Sequence, residues 1–263
     1  MADRCQPAWA REVSCEIRFD DLNRALYATD ASVYQITPIG VAFPKSAAEA
    51  ASVISAAAEA GVSITPRGAG TGLAGGAVGD GLVVDFSRYN RDIWDLNREA
   101  RTVRVGAGVV LDQLNVHLRP HGLCFGPDVA TSSRATLGGM IANNSSGNNA
   151  PTYGTTVDHV RSVEMILADG RVVTAGPNSA ALAAERAEAD RLVERYAKAI
   201  RQRMPDVLLK RWPGYQFDHY LRHPGDLSKL IAGSEGTLAG IMSAGLNLVP
   251  LPRHRGLAVI CFA

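Results

Sequence analysis

The chain is poor in residues that announce chemistry on their own. Its four cysteines, Cys5, Cys15, Cys124 and Cys261, stand far apart in 263 residues and form no C-x-x-C pair. That removes a zinc or iron–sulfur site built on such pairs and points to free thiols in a reducing compartment. An excess of one charge is missing too. Lys plus Arg is 27 against 26 for Asp plus Glu, a formal net charge of +1, so no broad field draws in nucleic acid or an anionic bilayer. No long apolar run occurs: MADRCQPAWAREV carries charges where a signal peptide needs an apolar core, and later apolar stretches are broken by charge or glycine, as at Glu235. The expected setting is cytoplasmic, without a transmembrane segment. No lysine follows a glycine anywhere, so the Walker pattern G-x-x-x-x-G-K-[ST] is absent.

Glycine, by contrast, is plentiful, at 26 residues, and it is clustered. In PRGAGTGLAGGAVGDG, Pro66 to Gly81, seven of sixteen positions are glycine and Arg67 is the sole cation. The flanking pattern places this run. VAFP (Val41 to Pro44) reads as a buried strand, and Ser46 three residues before Glu49 marks a capped helix whose apolar face carries Val53, Ile54, Ala57 and Ala58. Gly61 fits a C-cap, and VSIT (Val62 to Thr65) is the next strand. The run therefore follows a β-α-β unit, at the strand end where such sheets bind ligands.

Further along, GLVVDF (Gly81 to Phe86) reads as a strand, DIWDLN and TVRVGAG as a hairpin, and Val110 to Gly122 as a short helix stopped by Pro120 and Gly122. Thr136 to Gly154 reads as a long polar loop, too small and polar for a packed helix. VRSVEMILADGRVVTAG forms two strands about Asp169-Gly170, a long helix ends at Pro205, and the segment after Gly236 is a central strand. Residues 1–35 show no lasting period and read as an irregular extension. The expected fold class is α+β, with an N-terminal β-α-β lobe and a second lobe richer in antiparallel pairing.

Three segments compete for chemistry. Gly70 to Gly75 satisfies G-x-G-x-x-G, but a Rossmann site needs a helix immediately afterwards, and here Gly79 and Gly81 lead into a strand. What remains is a nest of exposed N–H groups able to take up phosphate charge without lysine, set against a plain surface loop. TLGGMIANNSSG (Thr136 to Gly147) repeats the recipe of paired glycines and short hydrogen-bonding side chains, and two such loops suit one long polar ligand. GSEGTL (Gly233 to Leu238) fails the hydrolase elbow G-x-S-x-G because Ala232 precedes Gly233. The histidines, His117, His121, His159, His219, His223 and His254, show no ligand spacing, so no metal is expected.

Taken in order, YATDASVYQITPIGVAFP, PRGAGTGLAG, the stretch from Phe125 to Val173 and GSEGTLAGI resemble the FAD-linked oxidases, the vanillyl-alcohol oxidase or PCMH-type flavoproteins. Within them the chain is most similar to the D-lactate dehydrogenase, glycolate oxidase and D-2-hydroxyglutarate dehydrogenase branch, and TDASVY to members fused to an iron–sulfur oxidoreductase. The resemblance implies a PCMH-type FAD-binding domain over residues 36–253, with lobes of about 36–108 and 109–253. Residues 254–263 would begin a C-terminal cap that handles substrate, and any Fe-S cluster would lie in that C-terminal part. By the same resemblance, Arg67, Gly68, Ala69, Gly70, Thr71, Gly72 and Leu73 wrap the FAD pyrophosphate. Asp128, Thr136, Gly138, Gly139, Asn143, Asn144, Ser145 and Gly147 line the flavin and ribityl chain. Glu235, Gly236 and Ile241 close the site.

Pro66 to Gly76 holds no histidine or cysteine, so FAD attachment is expected to be non-covalent. The implied partners are a small hydroxy acid and a separate electron acceptor, with the full-length protein cytoplasmic or peripheral at the inner membrane. Arg211, Tyr215 or His219 could edge the substrate side, or simply be surface and packing residues. Two other readings stand beside this one: a UDP-MurNAc reductase-like flavoprotein using NADPH, and a non-catalytic nucleotide-binding module.

Overall fold

The computed structural model describes residues 6–177, 179–204, 214–254, 256, 259 and 261. In chain order the strands and α-helices are β1 (Glu16–Arg18), α1 (Asp21–Leu26), β2 (Gly40–Phe43), α2 (Ala47–Glu59), β3 (Ile64–Arg67), β4 (Leu82–Asp85), β5 (Ile93–Asn97), β6 (Thr102–Gly106), α3 (Leu111–Leu118), β7 (Leu123–Cys124), α4 (Leu137–Ala142), α5 (Ala150–Tyr153), α6 (Thr156–His159), β8 (Val160–Ile166), β9 (Val172–Ala175), α7 (Ala183–Arg203), α8 (Phe217–Arg222), α9 (Ser228–Ile231), β10 (Gly240–Asn247) and β11 (Val249–Pro250).

Helix α2 begins where the Ser46 hydroxyl accepts the Glu49 N–H at 3.2 Å, which satisfies one of the free donors of a helix start. The Glu49 carboxylate reaches back to the Lys45 N–H at 2.9 Å, one residue earlier than a full capping box requires. Gly61, with φ +68°, turns the chain out of the helix. Ala50, Val53, Ile54 and Ala57 are buried beneath it. The first sheet has the order β1-β2-β4-β3, with β2 and β3 both parallel to β4, so the crossover helix α2 packs over it. β4 is buried throughout, as its unbroken LVVD run demands.

The second sheet has the order β5-β6-β10-β8-β9 and is antiparallel at every pair. Gly170, at φ +82°, makes the β8–β9 turn, and a Cβ there would lie 2.9 Å from Ser55 Cβ, so the hairpin rests on α2. One apolar core therefore runs from α2 and β4 through β6, α3 and α4 to β8 and β10. The fold is α+β, with one mainly parallel and one antiparallel sheet.

Three readings of the sequence are corrected. The N-terminal stretch holds elements: β1 adds to the edge of the first sheet, pairing Glu16 with Phe43 and Arg18 with Val41, and Asp20 caps α1. It lacked a legible period because β1 is three residues long and α1 buries none of its side chains. The hairpin β5–β6, placed before the lobe boundary near residue 108, belongs to the second sheet through its pairing with β10. Thr136 to Gly154 is not a continuous loop, because α4 and α5 lie inside it and Leu137, Met140 and Ile141 are buried. The expected helix stop at Pro205 lies outside the described residues; α7 runs to Arg203.

Candidate cofactor cleft

Between β3 and β4 the chain passes through Gly68 to Gly81 with no helix in it. Among the described residues, no N–H from Gly68 to Gly76 donates a hydrogen bond within the chain. Such unpaired amides on bare backbone make a concave, electropositive nest. Gly70 and Gly75 adopt positive φ, +66° and +79°.

Helix α4 forms the opposite wall. LGGMIA is a weak helix former by composition, and long-range bonds hold its ends: Leu137 N–H to Val109 O and Gly138 N–H to Ala107 O, both 2.8 Å. At its C-terminus, Ile141 O accepts from Gly233 N–H and Ala142 O from Glu235 N–H, each at 2.9 Å. The GSEG turn thus hangs on α4. Gly236 also faces Pro66, which a Cβ would approach to 3.3 Å, so the third motif bridges the first two. Glu235 adopts φ +52°, an unusual backbone conformation for a residue with a side chain.

Together these segments enclose a cleft of about 350 Å³. Its lining includes Arg67 to Leu73, Thr136, Gly138, Gly139, Asn143, Ser145, Glu235, Gly236 and Ile241. Asp128, Asn144 and Gly147 are not in the lining. Gly147 lies against the backbone of Asp128, where a Cβ would collide with the Asp128 carbonyl. Asn144, buried with φ +45°, accepts the Val157 N–H on Oδ1 at 2.9 Å and so ties the end of α4 to α6. Phe86, Ala107, Val129, Thr131 and Ala239 line the cleft too, and no local signal marks them. Arg211 lies outside the described residues. Tyr215 bonds Thr237 Oγ1 at 2.7 Å, and buried His219 sits 3.7 Å from Asp158; neither lines the cleft.

The walls are small where they meet. A Cβ at Gly68 would collide with Thr136 Oγ1, and one at Gly138 would come within 2.6 Å of Ala107 Cβ. Thr136 Oγ1 is buried without a partner, an orphaned polar atom at the junction of the two glycine motifs. Arg67 is among the lining residues, and its guanidinium is bonded to backbone carbonyls. Nη1 donates to Ala77 O at 2.8 Å and Nη2 to Thr29 O at 2.8 Å. Burial lowers the Arg67 pKa from the ordinary arginine value, against the opposing pull of Tyr27, Asp30 and Asp85. Burial raises the Asp30 pKa, but the hydrogen bonds from Ser32 and the Ala77 N–H and the charge of Arg67 together outweigh it and hold the carboxyl below its usual range.

A donor-lined end, a narrow waist without bulky side chains and a hydroxyl lacking a partner suit an extended ligand with phosphate at one end and a flat ring system at the other. Comparison with known families decides which ligand this is. The family model described as FAD binding domain matches residues 38–176. The chain belongs to the FAD binding domain family.

Among curated relatives, this FAD binding domain is 39% identical over 250 residues to D-2-hydroxyglutarate dehydrogenase of Pantoea ananatis, covering 89% of this chain and 24% of that protein. It is 38% identical over 251 residues to D-2-hydroxyglutarate dehydrogenase of Escherichia coli K12, covering 89% and 25%. Against glycolate oxidase subunit GlcD of Bacillus subtilis it is 31% identical over 249 residues, covering 93% and 44%. The chain therefore spans about a quarter of the length of the D-2-hydroxyglutarate dehydrogenases it matches. The fold is also that of alkyldihydroxyacetonephosphate synthase, at TM-score 0.65 and 20% identity, covering 90% of this chain and 38% of the other. Among the described residues, no helix of this FAD binding domain is long and apolar enough to cross a membrane.

Proposed function

We propose that the chain is the cofactor-holding part of a flavoprotein dehydrogenase that oxidises a 2-hydroxy acid of the D-2-hydroxyglutarate, D-lactate or glycolate type and passes the electrons to a separate acceptor. The observation that carries this reading is the cleft, whose free N–H groups stand opposite the glycine face of α4, in a chain 37–39% identical to four D-2-hydroxyglutarate dehydrogenases. Bound there, FAD supplies a two-electron acceptor for the C–H bond of an alcohol.

The chain's own groups do the holding. The amides from Gly68 to Gly76 receive the diphosphate, Thr136 Oγ1 offers a hydrogen bond at the waist, Gly139 lets the ligand approach the backbone, and Gly138 lets α4 pack on Ala107. Phe86, Val129 and Ile241 keep the cleft dry. Attachment is non-covalent in this reading, since no histidine or cysteine lines the cleft among the described residues. Glu235 is the one carboxylate in that lining, and its exposed position suits the rim. The base that takes the hydroxyl proton, and the groups that orient the acid, come from other parts of the full-length protein. We place the two lobes of the FAD-binding domain about the two sheets, and the protein in the cytoplasm.

The test is anaerobic addition of D-2-hydroxyglutarate, D-lactate, glycolate and NADPH to the full-length protein while the visible flavin band is followed. Bleaching by one of the acids and not by NADPH is the expected result. Bleaching by NADPH alone would replace this reading with a reductase of the UDP-MurNAc type.

A further inference from the structure

We infer that Arg67 is a positioning residue that holds the glycine loop open from behind, and that residues 27–36, which precede the matched family region, are part of the cofactor site. The inference rests on the reading of the cleft as an FAD site and adds how its donor surface is kept in shape.

Arg67 stands at the end of β3, in register with Asp85 at the end of β4. Its guanidinium has a rigid planar fork, and that fork is spent on backbone carbonyls. One prong reaches Ala77 O, at the far end of the glycine loop, with a longer bond of 3.4 Å to Tyr27 O; the other reaches Thr29 O. The guanidinium also lies over the Tyr27 ring, 5.1 Å from its centroid. One side chain therefore staples the start of the loop to its end and both to the N-terminal segment. To meet a phosphate it would have to abandon these bonds.

The segment itself is a closed turn. Thr29 bridges to Gln35, and the Ile36 N–H bonds Ala28 O at 2.8 Å. From this turn the Ala31 N–H donates to Gly70 O at 2.9 Å, and the Tyr34 ring lies so close to Gly75 that a Cβ would come within 2.6 Å of it. A Cβ at Gly70 would likewise lie 2.8 Å from Arg67 Nη2. The strap thus engages the loop through the Gly70 carbonyl, while Arg67, braced on the strap, holds the Ala77 carbonyl. With those carbonyls drawn away, the amides between them are left without internal acceptors. The donor surface is organised before any ligand arrives, which lowers the cost of binding.

The experiment measures FAD and riboflavin affinity of the intact apoprotein for the wild type, Arg67→Lys, Arg67→Met and Tyr34→Ala, at low and high salt, with thermal unfolding of each. Lysine keeps the charge but not the fork. Under a bracing role Arg67→Lys and Arg67→Met both weaken FAD binding by about tenfold, and the salt dependence of FAD binding in Arg67→Met matches the wild type. Tyr34→Ala, which leaves every charge in place, weakens FAD binding by about threefold through lost preorganisation. Wild-type affinity in Arg67→Lys, or a flattened salt dependence in Arg67→Met, assigns Arg67 to the phosphates and overturns the inference while leaving the FAD site standing. If both Arg67 variants unfold, unchanged FAD affinity in folded Tyr34→Ala overturns it. A wild-type protein that binds riboflavin and FAD equally, or neither, removes the reading of the cleft and the inference with it.

Discussion

The hydroxyl of Tyr27 donates to Asp85 Oδ2, joining the N-terminal strap to the last residue of β4. The other oxygen, Oδ1, accepts from Ser87 N–H at 2.6 Å and Ser87 Oγ at 2.7 Å, and Asp85 is 4% exposed. Removing the tyrosine hydroxyl leaves a buried carboxylate oxygen short of a donor. Tyr27→Phe is expected to cost about 1–3 kcal/mol of stability at pH 7. Burial and then the bond to Asp85 hold the Tyr27 pKa above the ordinary tyrosine value. Stability from a raised pKa is complete below the unfolded value, about 10, and is lost as pH climbs beyond it. Urea unfolding across that range checks the sign. The gap between wild type and Tyr27→Phe should shrink above pH about 10, and a constant gap would rule out this linkage.

Gly70 has φ +66° and no room for a Cβ beside Arg67. Gly70→Val is expected to lose most of its bound FAD while keeping its far-UV circular dichroism, because the loop lies outside the core. Gly176 is the control, since a Cβ there would meet Arg161 O at 3.4 Å and Ser162 Cβ at 3.6 Å, both ordinary contacts. Gly176→Ala should keep full flavin content. Full occupancy in folded Gly70→Val would show the loop to be a plain surface turn.

Acid precipitation of the holoprotein should leave intact FAD in the supernatant, since no histidine or cysteine lines the cleft among the described residues. Flavin retained in the pellet would demand a tether from elsewhere. FMN in the supernatant would contradict the dinucleotide.

Gly138 sits where α4 crosses Ala107, and a Cβ would lie 2.6 Å from Ala107 Cβ. Gly138→Ala is expected to destabilise the fold by about 1–3 kcal/mol through overpacking, and to narrow the cleft. Chemical denaturation and FAD titration measure the two effects separately. A variant as stable as wild type would mean that α4 can shift freely.

The chain by itself, loaded with FAD, should not be reduced at a useful rate by D-lactate, glycolate or D-2-hydroxyglutarate. Proton removal and substrate orientation need positioned groups, and the described cleft offers only Glu235 and the committed Arg67 among charged side chains. Rapid bleaching by any of these acids would place a working base inside this chain.

The sequence made legible those parts whose causes are local. Ser46, Gly61 and the apolar spacing of Val53, Ile54 and Ala57 delimit α2 without reference to anything distant, and Asp169-Gly170 does the same for the β8–β9 turn. Helix α4 was opaque because its causes lie far away. Two glycines and an asparagine-rich exit argue against a helix, and the bonds from Val109, Ala107, Gly233 and Glu235 that satisfy its ends leave no trace in its own residues. The three cofactor motifs could be named from their glycines. That Gly236 packs on Pro66, that Phe86 and Ala239 complete the lining, and that Arg67 turns its fork away are products of tertiary contact.

Strand β10 is the last strand of the second sheet in chain order and its middle strand in space, held between β6 and β8. Until residues Gly240–Asn247 leave the ribosome, that sheet exists only as two separate hairpins, β5–β6 and β8–β9, each with an open inner edge. Those edges can pair with the wrong partner, and the closing contacts span large sequence separations, which makes their formation slow. The GSEG turn immediately before β10 carries the last wall of the cleft. Completion of the sheet and completion of the cofactor site therefore both wait on the same short stretch, the turn before β10 and β10 itself.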